Sequence, residues 1–170
     1  MLQYPIMYDG PTMTPTSKVN DLLFYANRTL TSPDMTDAIY AIVALELGYP
    51  LLADTLFAFS YQHFNFAPYG TWTEKADGNG NIPYITSGSG FLQAVVYGYA
   101  GVRALNDSLR IFPQLPADVS RLALRRVAYC GAHIDIEYNA TVATLTQIDG
   151  AALTMPETFP TGTEVHVACT

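Results

Sequence analysis

Cysteine and charged residues are both scarce in this chain. Its 170 residues include two cysteines, Cys130 and Cys169, too few for a disulfide framework and without the spacing of metal ligands. The two can form a disulfide, or both can be small buried apolar residues. Charged residues make up 14% and apolar residues 49%, a balance that excludes a disordered chain.

A basic surface is also lacking, since the formal net charge is −7 and the isoelectric point is about 4.6. This acidity argues against nucleic acid and anionic membranes as partners. No apolar run reaches the roughly 20 residues of a transmembrane helix. No serine stands in a G-x-S-x-G elbow, and the glycines match neither a P-loop nor a dinucleotide fingerprint. Neither a metal nor a cofactor is expected.

Helical periodicity dominates the first hundred residues. Apolar residues at i, i+3, i+4 and i+7 predict helices at residues 17–30, about 35–47, 51–62 and 89–101. Ser32-Pro33-Asp34 marks the start of the second helix, and Gly48 with Pro50 marks its end. The fourth helix is apolar on nearly every side, which predicts that it is buried all round.

After Asn106 the apolar period changes to two, as in half-buried strands. The clearest alternations are Leu109 with Ile111, then Ile134, Ile136 and Tyr138, then Val165, Val167 and Cys169. Helices followed by strands, without alternation, predict an α+β fold with segregated domains, 1–105 and 106–170. The last strand has no evident partner, so the β part is expected to be incomplete.

The segment from His63 to about Ser87 interrupts the helices and is rich in glycine and proline. Loops of this length inside compact helices are more often functional than not. It holds Trp72, the single tryptophan of the chain, beside Glu74, with Asp77 three residues further on. An aromatic ring and a carboxylate together suit a sugar site. The alternative is that Trp72 packs inside while Glu74 and Asp77 face water.

Two weaker signals surround this loop. Thr86-Ser87-Gly88-Ser89-Gly90 precedes the fourth helix, where free N–H groups can hold an anion. An ordinary N-cap by Ser87 or Ser89 is the simpler interpretation. The three histidines are scattered: His63 borders the loop, whereas His133 and His166 lie on predicted strands, where structural roles are expected.

Three N-x-[S/T] sequons begin at Asn27, Asn106 and Asn139, and they indicate a secretory history. Because the first residues lack the features of a signal peptide, the true N-terminus is expected to lie upstream. Asn27 falls in the first predicted helix beside Leu23 and Ala26, so it is expected to be less accessible to glycosylation than Asn106 and Asn139.

Several segments together resemble glycoside hydrolase family 65, in its acid-trehalase and related α-glucosidase branch. The resemblance covers essentially the whole chain, and the Trp-Thr-Glu and Gly-Phe-Leu-Gln segments at this separation are its most specific part. The matching segments are Tyr4-Pro5, Met35-Thr36, residues 41–44, Glu46-Leu47-Gly48, Trp72-Thr73-Glu74 with Asn79, Thr86, residues 90–93, Gly98-Tyr99 with Gly101, and the proline-marked strand 109–116.

The resemblance implies the last helices of an (α/α)6 barrel followed by part of a C-terminal β-sandwich. It implies an inverting reaction on a small α-glucoside, most simply trehalose, with Glu74 as the water-activating base. Trp72, Ser87 and Ser89 would contact the sugar. Phosphorolytic members do not need the base, so Glu74 favours hydrolysis. A secreted, extracellular or vacuolar parent protein is expected.

The chain also departs from the family pattern. Ser87, Gly88 and Ser89 replace the middle of the usual Thr-Gly-Ala-Gly-Gly loop. The general acid and a Lys-Gln-Ala-Asp motif, both upstream in the family, have no counterpart here. The chain is therefore expected to be a C-terminal fragment that is inactive alone. The alternatives are a disaccharide phosphorylase and a non-catalytic carbohydrate-binding or degenerate fragment.

Overall fold

A computed structural model describes residues 3–7, 10–11, 13–29 and 35–170. The chain divides into two compact units, one ending at Val95 and the other beginning at Val96. The predicted domain boundary after residue 105 stays a prediction. The first unit contains the helices α1 (Pro15–Ala26), α2 (Met35–Glu46), α3 (Pro50–Gln62) and α4 (Ile85–Gln93). No helix of the described residues is long and apolar enough to cross a membrane.

Helix α2 is the centre of the first unit, and residue 38 and residues 40–45 are all buried. Its end follows the Schellman pattern, because the Tyr49 N–H donates to the Ala44 carbonyl and the Gly48 N–H to the Leu45 carbonyl. Gly48 has φ +78°, the left-handed conformation that this cap requires. The predicted end of the helix is therefore confirmed, whereas its predicted start at 32–34 lies outside the described residues.

Helix α1 is shorter and more exposed than its pattern predicts. The Thr14 hydroxyl caps its first turn by accepting from the Ser17 N–H, and Pro15 occupies the first helical position. Only Leu22 is buried, and Leu23 is 47% exposed. Asn27 follows the helix as its exposed C-cap. The expectation that burial shields Asn27 is therefore wrong, because its neighbour Leu23 is not buried.

The fourth predicted helix is also corrected. Helix α4 begins at Ile85, four residues early, and continues into a π-helical turn, Ala94–Tyr99. Burial on every side is wrong, because Ile85 is 74% and Leu92 62% exposed. The buried face is made by Gly90, where an added Cβ would lie 3.2 Å from the Met35 Cα of α2. The packing of α2 against this glycine selects one face of α4 for burial.

The second unit is an antiparallel β-sandwich with two four-stranded sheets. One sheet has the order β3-β4-β10-β8 and the other the order β5-β6-β7-β9. Its strands are β3 (Arg103–Ala104), β4 (Leu109–Ile111), β5 (Arg121–Tyr129), β6 (Ala132–Asn139), β7 (Val142–Gly150), β8 (Leu153–Thr154), β9 (Thr158–Pro160) and β10 (Val165–Cys169). The predicted α+β fold, helices followed by a sandwich, is confirmed.

Alternation along the strands builds the sandwich core. In β6, Ala132, Ile134, Ile136 and Tyr138 are buried while their neighbours are partly exposed, as predicted. Ile134, Ile136 and Tyr138 join Leu109, Ile111, Leu145 and Val167 in one cluster. The last strand, β10, pairs with β4 on one side and with β8 on the other. The expectation that it lacks a partner is wrong, because β4 lies far earlier in the chain and β8 is too short to show a strand pattern.

A disulfide joins Cys130 to Cys169, which decides between the two alternatives for the cysteines. Cys130 and Gly131 form the two-residue connection between β5 and β6, with φ of 49° and 72°. Positive φ at both residues is the requirement of a type I′ hairpin turn. The disulfide therefore links the tip of this hairpin to the last residue of β10, which belongs to the other sheet.

Candidate active-site loop

The segment between α3 and α4 is ordered by a short hairpin of two strands, β1 (Asn65–Phe66) and β2 (Thr71–Trp72). Two main-chain hydrogen bonds extend it: the Thr73 N–H donates to the Phe64 carbonyl at 2.9 Å, and the Tyr84 N–H donates to the Trp72 carbonyl at 2.8 Å. The predicted structureless break is thus partly a hairpin, and Glu74 leaves it two residues after Trp72.

Trp72 is half-buried against helix α4. Its ring centroid lies 5.9 Å from that of Phe91, which itself stacks on Phe57 at 5.0 Å. A Cβ added at Gly88 would lie 3.3 Å from Trp72 Nε1, so a larger residue there would push the indole away. The indole therefore packs against α4, as the alternative of inward packing predicts, and Trp72 stays partly exposed.

Glu74 is held by Asn81. The Asn81 main-chain N–H and its side-chain Nδ2 both donate to Glu74 Oε2, at 3.2 and 2.8 Å. The Glu74 N–H donates in turn to the Asn81 carbonyl at 3.3 Å. Residues 74–81, called here the Glu74 loop, therefore close at a neck made by these two residues. Asn81 could not be predicted from the sequence, because the Gly-Asn-Gly-Asn run signals a turn but not this pairing.

Asp77 stands at the exposed tip of the Glu74 loop. The Asn79 main-chain N–H donates to Asp77 Oδ1 at 2.9 Å. Hydrogen bonds from the main chain and side chain of Asn79 hold the pKa of Asp77 below its ordinary value. Asp77 is therefore a stable, hydrated anion.

Helix α4 presents the two predicted sugar-contacting serines on different faces. Ser87 is 2% exposed, and its hydroxyl has no hydrogen-bond partner among the described residues. Ser89 is exposed, and its hydroxyl donates to the Ile85 carbonyl at 3.1 Å. Gly88, between them, faces Trp72. The structure thus brings Trp72 to α4 without bringing both serines to the indole, and the roles of Ser87 and Ser89 stay predictions.

Other predicted residues lie apart from this loop. Asn106 and Asn139 are exposed, as is Asn27. His133 bonds Asp149, His166 bonds Ser108 and Glu164, and the ring of His63 lies 5.5 Å from that of Phe59. Within residues 3–7, 10–11, 13–29 and 35–170, no group of three or more His, Cys, Asp or Glu could hold a metal ion.

An open cavity of about 630 Å³ lies in the helical unit, and none of the predicted site residues lines it. Its lining residues are Ile6, Asp21, Tyr25, Met35, Thr36, Ile39 and Tyr40. Closer to α4, the Tyr4 hydroxyl donates to Gln93 Oε1 at 2.7 Å. That bond joins two of the segments on which the family resemblance rests.

Comparison with known proteins finds similarity to one family of glycoside-processing enzymes. Residues 102–156 match the family model for the C-terminal domain of glycosyl hydrolase family 65. The chain belongs to glycoside hydrolase family 65.

The relatives include two kinds of enzyme. A protein-glucosylgalactosylhydroxylysine glucosidase of Dictyostelium discoideum is 34% identical over 85% of this chain and 20% of its own length. The same-named enzyme of Gallus gallus is 36% identical over 79% of this chain and 19% of its own length. An acid trehalase of Emericella nidulans is 29% identical over 90% of this chain and 15% of its own length. The chain thus spans about a fifth or less of the length of these relatives.

Further comparisons concern location and fold. Three other fungal acid trehalases, at 24–27% identity, carry names that describe them as cell wall, periplasmic or secreted proteins. Among solved structures, a protein assigned as a kojibiose phosphorylase from the human microbiome matches with a TM-score of 0.66. That match has 15% identity and covers 92% of this chain and 22% of the other. It establishes a shared fold of helices followed by a sandwich.

Proposed function

We propose that the parent protein of this chain is an inverting hydrolase of α-glucosidic bonds in which Glu74 activates water. The observation that carries the proposal is the setting of Glu74. It is a half-buried carboxylate fixed by Asn81, two residues after a tryptophan that keeps part of its ring exposed. The family resemblance implies the same role for this position. Trp72 would line the glucose site.

An inverting glycosidase needs a second carboxyl group about 6.5–9.5 Å from the base, with a water between the base and the sugar. The general acid is expected from the part of the relatives that this chain does not span. The isolated chain is therefore expected to bind sugar weakly at most and to have no turnover.

Asp77 is the nearest alternative to Glu74 along the chain. A general base works best when its pKa lies near the operating pH. Asn79 holds the pKa of Asp77 below its ordinary value, which makes its carboxylate a weaker base. The lowered pKa of Asp77 counts against Asp77 as the base.

Two substrates fit the relatives. The acid trehalases suggest α,α-trehalose, and the protein-glucosylgalactosylhydroxylysine glucosidases suggest a glucosylated hydroxylysine unit on protein. The Dictyostelium and chicken glucosidases, at 34% and 36%, are more similar to this chain than the Emericella trehalase at 29%. This difference favours the glucosylgalactosylhydroxylysine unit as a second candidate beside trehalose. Retention of Glu74 favours hydrolysis over phosphorolysis.

The test of the base is Glu74→Gln in the parent protein, or in the Dictyostelium relative carrying this chain in place of its own matching segment. Glutamine keeps the shape but cannot take a proton, so kcat should fall about 10²–10⁴-fold while substrate binding is retained. Asp77→Asn is the matched control and should lose much less. Azide should partly rescue Glu74→Gln as a replacement nucleophile and yield a glycosyl azide of inverted configuration.

Near-full turnover by Glu74→Gln, or loss of turnover in Asp77→Asn instead, would contradict the assignment. The same protein, assayed on trehalose and on glucosylgalactosylhydroxylysine with and without inorganic phosphate, separates the substrates and the reaction types. A rate that requires phosphate would identify a phosphorylase. Saturable sugar binding with no turnover by the wild-type parent protein would favour a non-catalytic protein.

An extracellular location of the parent protein is part of the proposal. It is supported by the three sequons, by the disulfide between Cys130 and Cys169, and by the cell wall, periplasmic and secreted relatives. Disulfides of this kind persist in oxidising compartments. N-glycans are proposed at Asn27, Asn106 and Asn139.

A further inference from the structure

The two donors that Asn81 provides converge on a single oxygen of Glu74. The main-chain N–H and Nδ2 of Asn81 both donate to Oε2, at 3.2 and 2.8 Å. Two donors on one oxygen fix the rotation of the carboxylate and its distance from the main chain. The other oxygen, Oε1, is then the one oriented away from Asn81 and available to a water.

The main chain at Gly80 approaches the Glu74 side chain closely. Gly80 has φ +97°, and a Cβ added there would lie 3.1 Å from both the Cβ and Oε2 of Glu74. That distance is tighter than most real contacts, so any larger residue at position 80 would displace the carboxylate. Gly80 therefore brings the loop close enough for Asn81 to reach Oε2.

The chemical type of the partner matters as well as its position. An arginine or lysine at this distance would strongly favour the ionised form of a carboxylate and so weaken it as a base. An amide carries no net charge, so it can orient a carboxylate with a smaller loss of basicity. Asn79, by contrast, directs its donors to Asp77, which is exposed to solvent.

We propose that Asn81 is the positioning residue of the water-activating base, because it aligns Glu74 through Oε2 and leaves Oε1 for the water. This inference rests on the proposed function, in which Glu74 is that base. It assigns to Asn81 no contact with the sugar. Its role is to set the orientation of the carboxylate.

The decisive variant is Asn81→Asp in the active parent protein. The substitution keeps the size of the side chain and the main-chain N–H, but it places a carboxylate where Nδ2 stood. Like charges disfavour the ionised form of Glu74 and raise its pKa, and the base must be ionised to act. The acidic limb of the kcat–pH profile should therefore move to higher pH by about one unit or more, with activity recovering on the alkaline side.

Asn79→Asp is the matched control, since it makes the same change within the same loop. Asn79 bonds Asp77 rather than Glu74. The acidic limb of the kcat–pH profile should therefore stay within about 0.3 pH unit of wild type, as expected for weakly coupled exposed charges. Asn81→Ala removes the Nδ2 bond without adding charge. It should lower kcat roughly 10-fold with little change in KM, because a misaligned base weakens the transition state more than binding.

An assay of Glu74→Gln beside these variants distinguishes a failure of the Asn81 proposal from a failure of the Glu74 proposal. If Glu74→Gln abolishes turnover but the Asn81→Asp limb does not move, Glu74 remains the base and the positioning role is overturned. If Glu74→Gln stays active, the proposed function fails and the inference fails with it. If Asn81 is purely structural, Asn81→Ala should lower the melting temperature without a selective loss of kcat. Should Asn81→Asp not fold, the split between kcat and KM in Asn81→Ala decides.

Discussion

The sandwich unit and the helical unit differ in how much of their apolar surface each one buries. The sandwich has a continuous core that includes Ile134, Ile136 and Val167, all fully buried, and a disulfide between its sheets. The helical unit buries the middle of α2 but leaves Leu51 82% and Leu92 62% exposed. Exposed apolar surface of this kind marks an interaction site or an aggregation liability. The candidate catalytic loop therefore lies on the less self-sufficient unit.

Truncation of a core side chain should show this difference between the units most clearly. Ile136→Ala removes a fully buried side chain from the sandwich and should cost about 2–5 kcal/mol of unfolding free energy. Leu51→Ala removes an equally large but exposed side chain from α3 and should cost less than about 0.5 kcal/mol. Hydrogen exchange of the β6 and α2 amides reports each unit separately. Equal losses of unfolding free energy in the two variants would contradict the difference between the units.

Loss of the disulfide should have the next largest effect. The bond joins residues that are 39 positions apart, and a cross-link of that span stabilises by about 2–4 kcal/mol. In the double variant Cys130→Ala/Cys169→Ala, the free energy of exchange of the β6 amides should fall by that amount. The exchange of the α2 amides should not change. Wild-type protein treated with a reductant is the control and should match the double variant. Unchanged exchange of the β6 amides would show that the sandwich core alone stabilises the unit.

The smallest energetic effect concerns the sequons, which are divided between the units. Peptide mapping of the secreted parent protein should find a glycan on at least one of Asn27, Asn106 and Asn139, all of which are exposed. Asn106→Gln should remove its glycan and change stability by less than about 0.5 kcal/mol, as for other surface substitutions. The absence of a glycan at all three asparagines would overturn this assignment.

Local patterns predicted the parts of the fold that local interactions determine. The alternation of Ile134, Ile136 and Tyr138 reports burial of one sheet face, and Gly48 reports the left-handed cap of α2. Pairings between distant residues leave no such pattern. The partners of β10, the bond between Cys130 and Cys169, and the buried face of α4 were therefore open or wrong at the level of sequence.

The same division applies to the candidate site. The composition of the loop and the family resemblance direct attention to Trp72 and Glu74. The residue types do not distinguish Asn81 from Asn79 as the partner of Glu74, because both follow a glycine in the same Gly-Asn-Gly-Asn run. In the structure, Asn81 bonds Glu74 and Asn79 bonds Asp77. The choice depends on the register with which the loop closes, and Gly80 sets that register through a close approach to Glu74.

Because β10 lies in the middle of its sheet, the two sheets are completed at different times during synthesis. The sheet β5-β6-β7-β9 has all its strands once residue 160 has left the ribosome. The sheet β3-β4-β10-β8 does not, because residues 165–169 lie between β4 and β8. Until they emerge, β4 and β8 present unpaired edges, which are templates for pairing with other chains. Nascent chains are therefore most prone to misassembly after β8 has emerged and before β10 has, and a chaperone would act in that interval.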